Sequence, residues 1–372
     1  MKIIKNLLLC ALTILLAVNL TACSNKGSDN TAEPEKPAEM TELQEPVETQ
    51  AEKEARENLE KGKAYWYGTG TDGYDMDKAE ELIEKSAEAG NAEAWYWLGE
   101  LTRYRTDKDR WTKVIDCFNK AVELGSGWGY YGLGTLYYFG TGFDKNSAKA
   151  KECFEKAADN DCLAGNIGLG KFYKNSKNTE ADGLKAIEYL EKALKSDDWV
   201  TVNEARVELG TLYFYGAPSV EVDKEKCEEW MVKAAEDNYG DGYHCLGTLY
   251  DQTLDADKTD NAKSYEYYVK AAEHGFPYNL GVATEYGIGT QADINKAVEL
   301  YKSQENGGRE ACESLASLAV CYFQGDGVEA SVDMAREYAH KALDAATEAE
   351  TGNEDQGYGV GLARLVLSYT GE

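Results

Sequence analysis

The feature that most constrains this chain is a glycine that returns at near-constant spacing inside segments that otherwise read as helix. "GLGTLYYFGTG" (132–142), "ELGTLYFYG" (208–216) and "CLGTLYD" (245–251) are three instances. A glycine within a helix costs roughly 1 kcal/mol relative to alanine. A chain that accepts this cost repeatedly must gain close packing in return. Gly62, Gly99, Gly134, Gly170, Gly210, Gly247 and Gly281, with Ala319 as an eighth small equivalent, stand 34 to 40 residues apart. Leucine precedes every marker after the first, and tyrosine follows three residues later in six copies (Tyr65, Tyr137, Tyr173, Tyr213, Tyr250, Tyr322). Five residues before the marker the chain is small again, at Ala94, Gly129, Gly165, Ala205, Gly242 and Ser314. Columns held in phase over this length are the signature of a repeat array.

Each copy carries a second stretch, such as "KVIDCFNKAVELG" or "KAIEYLEKALK", with apolar residues at spacings of three and four. That is the period of an amphipathic helix. Gly90, Gly125, Gly275 and Gly308 read as stops for these second helices. Glycine-rich turns such as "GTGFDKN" join the two. The unit is therefore helix–turn–helix, about 36 residues long and repeated eight times. The spacing predicts an all-α solenoid over 51–355, closed by a lone helix within 356–372. In this reading the small columns let the second helix cross at short distance, and the tyrosine fills the space between repeats.

"AEAWYWLG" (92–99) and "LGTLYYFGTGFDKNSAKAKECFEKAA" (133–158) resemble the consensus of the Sel1-like repeat family, relatives of the tetratricopeptide repeats. The resemblance covers roughly residues 57–350. The second copy departs from it with "RYRTDKDR" in place of the glycine-rich turn, and the fourth with "KNSKNTEAD". The fifth is lengthened by "APSVEV", and the seventh has "YKSQ" in place of "KAA". The resemblance implies a right-handed solenoid that serves as an adaptor surface without catalysis of its own.

The amino terminus carries a different signal. Lys2 and Lys5 precede a short apolar run ending at Leu20, below the roughly 20 residues that span a bilayer. This is the pattern of an export signal over 1–22. "LTAC" (20–23) resembles a bacterial lipobox, which implies cleavage before Cys23 and diacylation of that cysteine. Residues 23–50 are polar, acidic and contain Pro34, Pro37 and Pro46, a composition that reads as a disordered tether. The expectation is an exported protein, lipid-anchored to the bacterial cell membrane or outer membrane, with its solenoid outside the cytoplasm.

Loss of the signal leaves 37 basic against 67 acidic residues, a net charge of −30. That sign excludes nucleic acid as a partner and assigns membrane attachment to the lipid alone. No pair among His244, His274 and His340 has metal-ligand spacing. The acidic turns "DGYDMD" (72–77) and "DQTLDADKTD" (251–260) lack the EF-hand pattern. The expectation is no catalytic residue, no metal and no cofactor. Seven body cysteines (Cys117, Cys153, Cys162, Cys227, Cys245, Cys312, Cys321) share no repeated offset and read mostly as small buried hydrophobes. Cys153 with Cys162 and Cys312 with Cys321 stay open as pairings.

Aromatic content is the one compositional signal for binding, with 26 tyrosines and seven tryptophans. Most fill the spaces between repeats. Trp66, Trp95, Trp97, Trp128 and Tyr130 are the candidates for an interface on the concave face, where aromatics act as anchors. The leading function is a non-catalytic scaffold that receives a protein or peptide in its groove. The alternative is a surface glycan- or ligand-binding lipoprotein using exposed aromatics. A protein groove would scatter its tryptophans among polar groups, whereas a glycan site would present a flat, spaced aromatic platform.

Overall fold

The computed structural model describes residues 48–105, 109–175, 181–251, 259–346 and 358–371. Cys23, the export signal and all of the tether before residue 48 lie outside the described residues. Among the described residues the only strand-like feature is an isolated bridge between Ala217 and Val220. Everything else regular is helix. The first four pairs are α1 (Gln50–Tyr67) with α2 (Met76–Glu88), α3 (Ala92–Thr102) with α4 (Arg110–Glu123), α5 (Gly127–Phe139) with α6 (Ser147–Asp159), and α7 (Ala164–Lys174) with α8 (Gly183–Ala193). The second four are α9 (Trp199–Tyr215) with α10 (Lys224–Glu236), α11 (Gly240–Tyr250) with α12 (Asn261–Glu273), α13 (Tyr278–Tyr286) with α14 (Ile294–Lys302), and α15 (Ala311–Gln324) with α16 (Val332–Ala345). A single helix, α17 (Tyr358–Thr370), packs on both members of the last pair.

The marker glycines are where the two helices of a repeat touch. A Cβ built on Gly62, Gly99, Gly134, Gly247 or Gly281 would lie 2.5 Å from Ile83, Phe118, Phe154, Tyr268 or Tyr301 respectively. Each of these large side chains sits on the second helix of the same repeat and is at most 2 % exposed. The small residue five positions earlier does a different job. Gly129, Gly165 and Gly242 abut the backbone of the preceding repeat's second helix, at Phe118, Phe154 and Ala235. One small column thus admits the repeat's own second helix and the other admits its neighbour's.

The tyrosine column corrects its expected role between repeats. Tyr173 stacks on Tyr189, Tyr250 on Tyr267 and Tyr322 on Tyr338, all partners from the same repeat. The backbone carbonyls of Tyr65, Tyr137, Tyr173, Tyr213, Tyr250 and Tyr322 accept from the N-cap residue of the second helix. In five copies the N-cap side chain in turn accepts from the backbone N–H of a lysine whose ammonium covers the tyrosine ring, as Asp223 and Lys226 do for Tyr213 at 5.0 Å. Capping and cation–π attraction so lock the turn within each repeat. Gly308 does not stop a helix: α14 ends at Lys302, and Gly308 lies six residues on. The fifth-repeat insertion docks on the fourth repeat, where Gly183 N–H donates to the Pro218 carbonyl at 2.8 Å.

About six repeats bring the solenoid back onto its own start. Gly275, at φ 88°, lies so close to the Tyr74 ring that a Cβ would come within 2.6 Å of it. Gly308 N–H donates to the Tyr104 carbonyl at 3.1 Å. Arg110, at the start of α4, donates to the carbonyls of Asp344 and Ala346 at the carboxyl end of α16. The first two repeats therefore rest on the junctions of the last three, and the concave face becomes a partly enclosed groove.

Candidate functional site: the enclosed concave face

Helical spacing selects what faces this groove. Positions three before and one after the marker glycine lie on one stripe of each first helix, and they supply Tyr96 and Glu100, Tyr131 and Thr135, and Lys171. On α9, Val200, Glu204, Val207 and Glu208 follow the same three-to-four period. With Trp66, Tyr67, Tyr239, Asp241 and Arg309 they surround a cavity of about 250 Å³. That is below the ~300–1,000 Å³ of an ordinary small-molecule pocket and suits a side chain.

The charges in the wall are paired. Lys171 Nζ lies 2.8 Å from Glu204 and 3.4 Å from Glu208, and Lys174 Nζ reaches the other Glu208 oxygen at 2.5 Å. Burial alone would raise the Glu208 carboxyl, but Lys174 and Lys171 outweigh it and hold the group at about 2. Glu204 also accepts from the Tyr131 hydroxyl at 2.8 Å, and Arg103 grips both oxygens of Glu100 at 2.9 and 3.0 Å. Burial drives Tyr67, Tyr96 and Tyr239 well above the ordinary phenol range, and Glu204 adds to the rise for all three.

Two carbonyls at the end of α1 explain the closure. Gly68 and Asp75 satisfy Ala64 and Tyr65 locally, which leaves the Trp66 and Tyr67 oxygens as orphan helix-end acceptors. Arg309 Nη2 donates to Trp66 at 3.3 Å, and His274 Nδ1 donates to Tyr67 at 2.5 Å. His274 is 3 % exposed and caps α12.

The five aromatic candidates divide. Trp66 and Trp97 line the cavity and are 3 % and 2 % exposed, so both are core as well as wall. Trp97 Nε1 donates to Glu93 at 2.9 Å. Trp128 is half-buried beside Tyr96 and Tyr131. Trp95 and Tyr130 are half-buried away from the cavity, Tyr130 beneath Lys156. Missed by the sequence reading were Tyr67, Glu204, Asp241 and Arg309, and only the positions flanking the marker glycine pointed to this face. No disulfide joins Cys153 to Cys162 or Cys312 to Cys321, so neither open pairing is formed. Among the described residues no group of three acidic, histidine or cysteine side chains is placed to hold a metal; most of 251–260 lies outside them.

Seven segments, at 62–91, 129–162, 164–198, 203–239, 246–276, 278–303 and 310–346, match the Sel1 repeat profile. The chain belongs to the Sel1 repeat family. Sel1 repeats generally form non-catalytic surfaces for protein–protein interaction. The second repeat, α3 with α4, is unmatched by the profile yet has the same helix pair, with Gly99 against Phe118. Among solved structures, the chain resembles a protective antigen of uropathogenic Escherichia coli with an SLR fold (22 % identity over 86 % of this chain and 69 % of that one, TM-score 0.43). It also resembles a Sel1 repeat protein of Oxalobacter formigenes (24 %, 69 % and 100 %, 0.46) and an immunity protein of Pseudomonas aeruginosa (19 %, 71 % and 84 %, 0.40). Comparison with proteins of curated function finds no match. Among the described residues no helix is long and apolar enough to cross a membrane.

Proposed function

We propose that this Sel1 repeat protein is a non-catalytic scaffold of the bacterial cell envelope, tethered through a lipid on Cys23, that receives a segment of a protein partner on its concave face. One observation carries the reading: the concave stripe holds tilted aromatics interleaved with carboxylates and bases. Tyr67 meets Trp97 at 83° and Trp199 at 81°, so these rings form an edge-to-face cluster. Sugar binding would be better served by a flat, spaced platform. Export and lipidation rest on the sequence features at 1–23.

The test is capture. The mature chain, immobilised, is exposed to detergent-solubilised envelope, and retained material is identified by mass spectrometry. Saturable retention of a protein, lost when Glu204→Lys reverses a concave-face charge in a variant that still folds, supports the scaffold. Retention of polysaccharide alone contradicts it.

A further inference from the structure

Arg309 leaves the turn between α14 and α15 and crosses to the first repeat. Its guanidinium carbon lies 4.3 Å from the Trp66 ring centroid, 4.9 Å from Phe276 and 5.0 Å from Tyr67. Nη1 donates to Asp241 Oδ2 at 3.2 Å and Nη2 to the Trp66 carbonyl at 3.3 Å. Three aromatic faces, a carboxylate and a helix-end carbonyl around one planar cation make a guanidinium receptor. The side chain is 9 % exposed.

The occupant fits its seat imperfectly. Charge-assisted N–H···O bonds run at about 2.7–2.9 Å, and both of these are longer. Asp241 is engaged through one nitrogen, without the two-pronged geometry a guanidinium offers a carboxylate. Nε is buried with no hydrogen-bond partner. The arm bearing the arginine begins with Gly307 and Gly308, at φ 110° and 143°, conformations that glycine adopts at little cost, and it is held to the second repeat by the Gly308–Tyr104 backbone bond. Trp66, Tyr67 and Asp241 also line the central cavity, so the seat opens onto the face proposed to receive a partner.

We propose that the cage of Trp66, Tyr67, Phe276 and Asp241 is an arginine-recognition site, filled in the isolated chain by Arg309, and that an arginine-bearing segment of the protein partner takes its place. The proposal rests on the concave-face reading above. A mature chain of charge −30 draws cationic segments toward it. Arginine is specified over lysine because only a planar guanidinium can stack on the rings while donating sideways to Asp241. Arg309 competes in cis, so the apparent affinity for a free arginine falls with the fraction of chains whose cage is empty.

The test uses the mature chain with Arg309→Ala, and N-acetyl-argininamide and N-acetyl-lysinamide as probes, with binding followed by chemical-shift perturbation. The variant should bind the arginine probe at least about tenfold more tightly than the unmodified chain does, and more tightly than the lysine probe. Adding Phe276→Ala should remove the gain. Equal affinity of the two chains, or of the two probes, overturns the proposal. Should Arg309→Ala fail to fold alone, rescue becomes the readout. Recovery of helicity with methylguanidinium but not with methylammonium supports the cage, and absence of rescue overturns it. Neither probe involves the partner, so the cage can fail while captured protein still supports the scaffold, and the reverse.

Discussion

His274 Nδ1 donates to the carbonyl oxygen of Tyr67 at 2.5 Å, across 207 positions of sequence. The bond satisfies an acceptor that the end of α1 leaves open, and it joins the first repeat to the sixth. His274→Leu should keep the volume and strand the carbonyl, at a cost of about 1–3 kcal/mol. Hydrogen exchange should speed up around residues 64–75 and 272–278 and stay unchanged in α7 and α8. Uniform acceleration across the array would show that the contact is not a local closure.

Gly134→Ala separates packing from helix propensity. Propensity alone favours alanine by roughly 1 kcal/mol, but the new Cβ would sit 2.5 Å from a carbon of the Phe154 ring. Overpacking of this kind costs about 1–3 kcal/mol, so the variant should melt below the parent by circular dichroism. A higher melting temperature would refute the account of the glycine column.

Trp97 and Trp95 are adjacent but should behave differently. Trp97 is 2 % exposed, and Trp97→Ala should cost about 3–5 kcal/mol through the cavity it leaves. Trp95→Ala, at a half-buried position off the cavity, should cost distinctly less in the same denaturation experiment.

Two carboxyls give stability opposite pH slopes. Burial pushes Glu310 up to about 8, from an ordinary 4.5, while the Tyr278 N–H and Arg309 oppose the rise. The unfolded chain releases this proton first, so stability should fall as pH rises from about 4.5 to about 8. Glu310→Gln, which can still accept from Tyr278, should flatten that slope. His244, whose Nδ1 lies 3.5 Å from Glu310 Oε1, is lowered by burial and opposes the slope below its ordinary 6.5. Glu208, held at about 2, contributes stability above 4.5 that is lost as pH falls toward 2. Urea titrations across pH on the parent and Glu310→Gln check these signs.

The repeat was readable from sequence because its determinants recur: Gly99, Gly134 and Gly247 perform one task in successive units, and the period exposes it. The tyrosine column was visible too, but its partner was misassigned. A lysine three residues past an N-cap shows its relation to a tyrosine 12 or 13 residues earlier only once the turn is folded. Closure was not readable at all. His274, Arg309 and Arg110 each occur once, bond to backbone carbonyls that every residue possesses, and act across more than 200 positions. The concave face followed the same rule. Tyr96 and Tyr131 belong to a column, whereas Asp241 and Arg309 meet only because the array returns on itself.

The most direct test of the concave-face assignment is site-specific photocrosslinking in the source cell. Phe139→p-benzoylphenylalanine places the crosslinker at the cavity wall, and Glu188→p-benzoylphenylalanine places it on the exposed side of α8. A discrete protein adduct from position 139 and none from position 188 is the predicted result. Adducts from position 188 alone would put the partner on the outer surface and contradict the assignment.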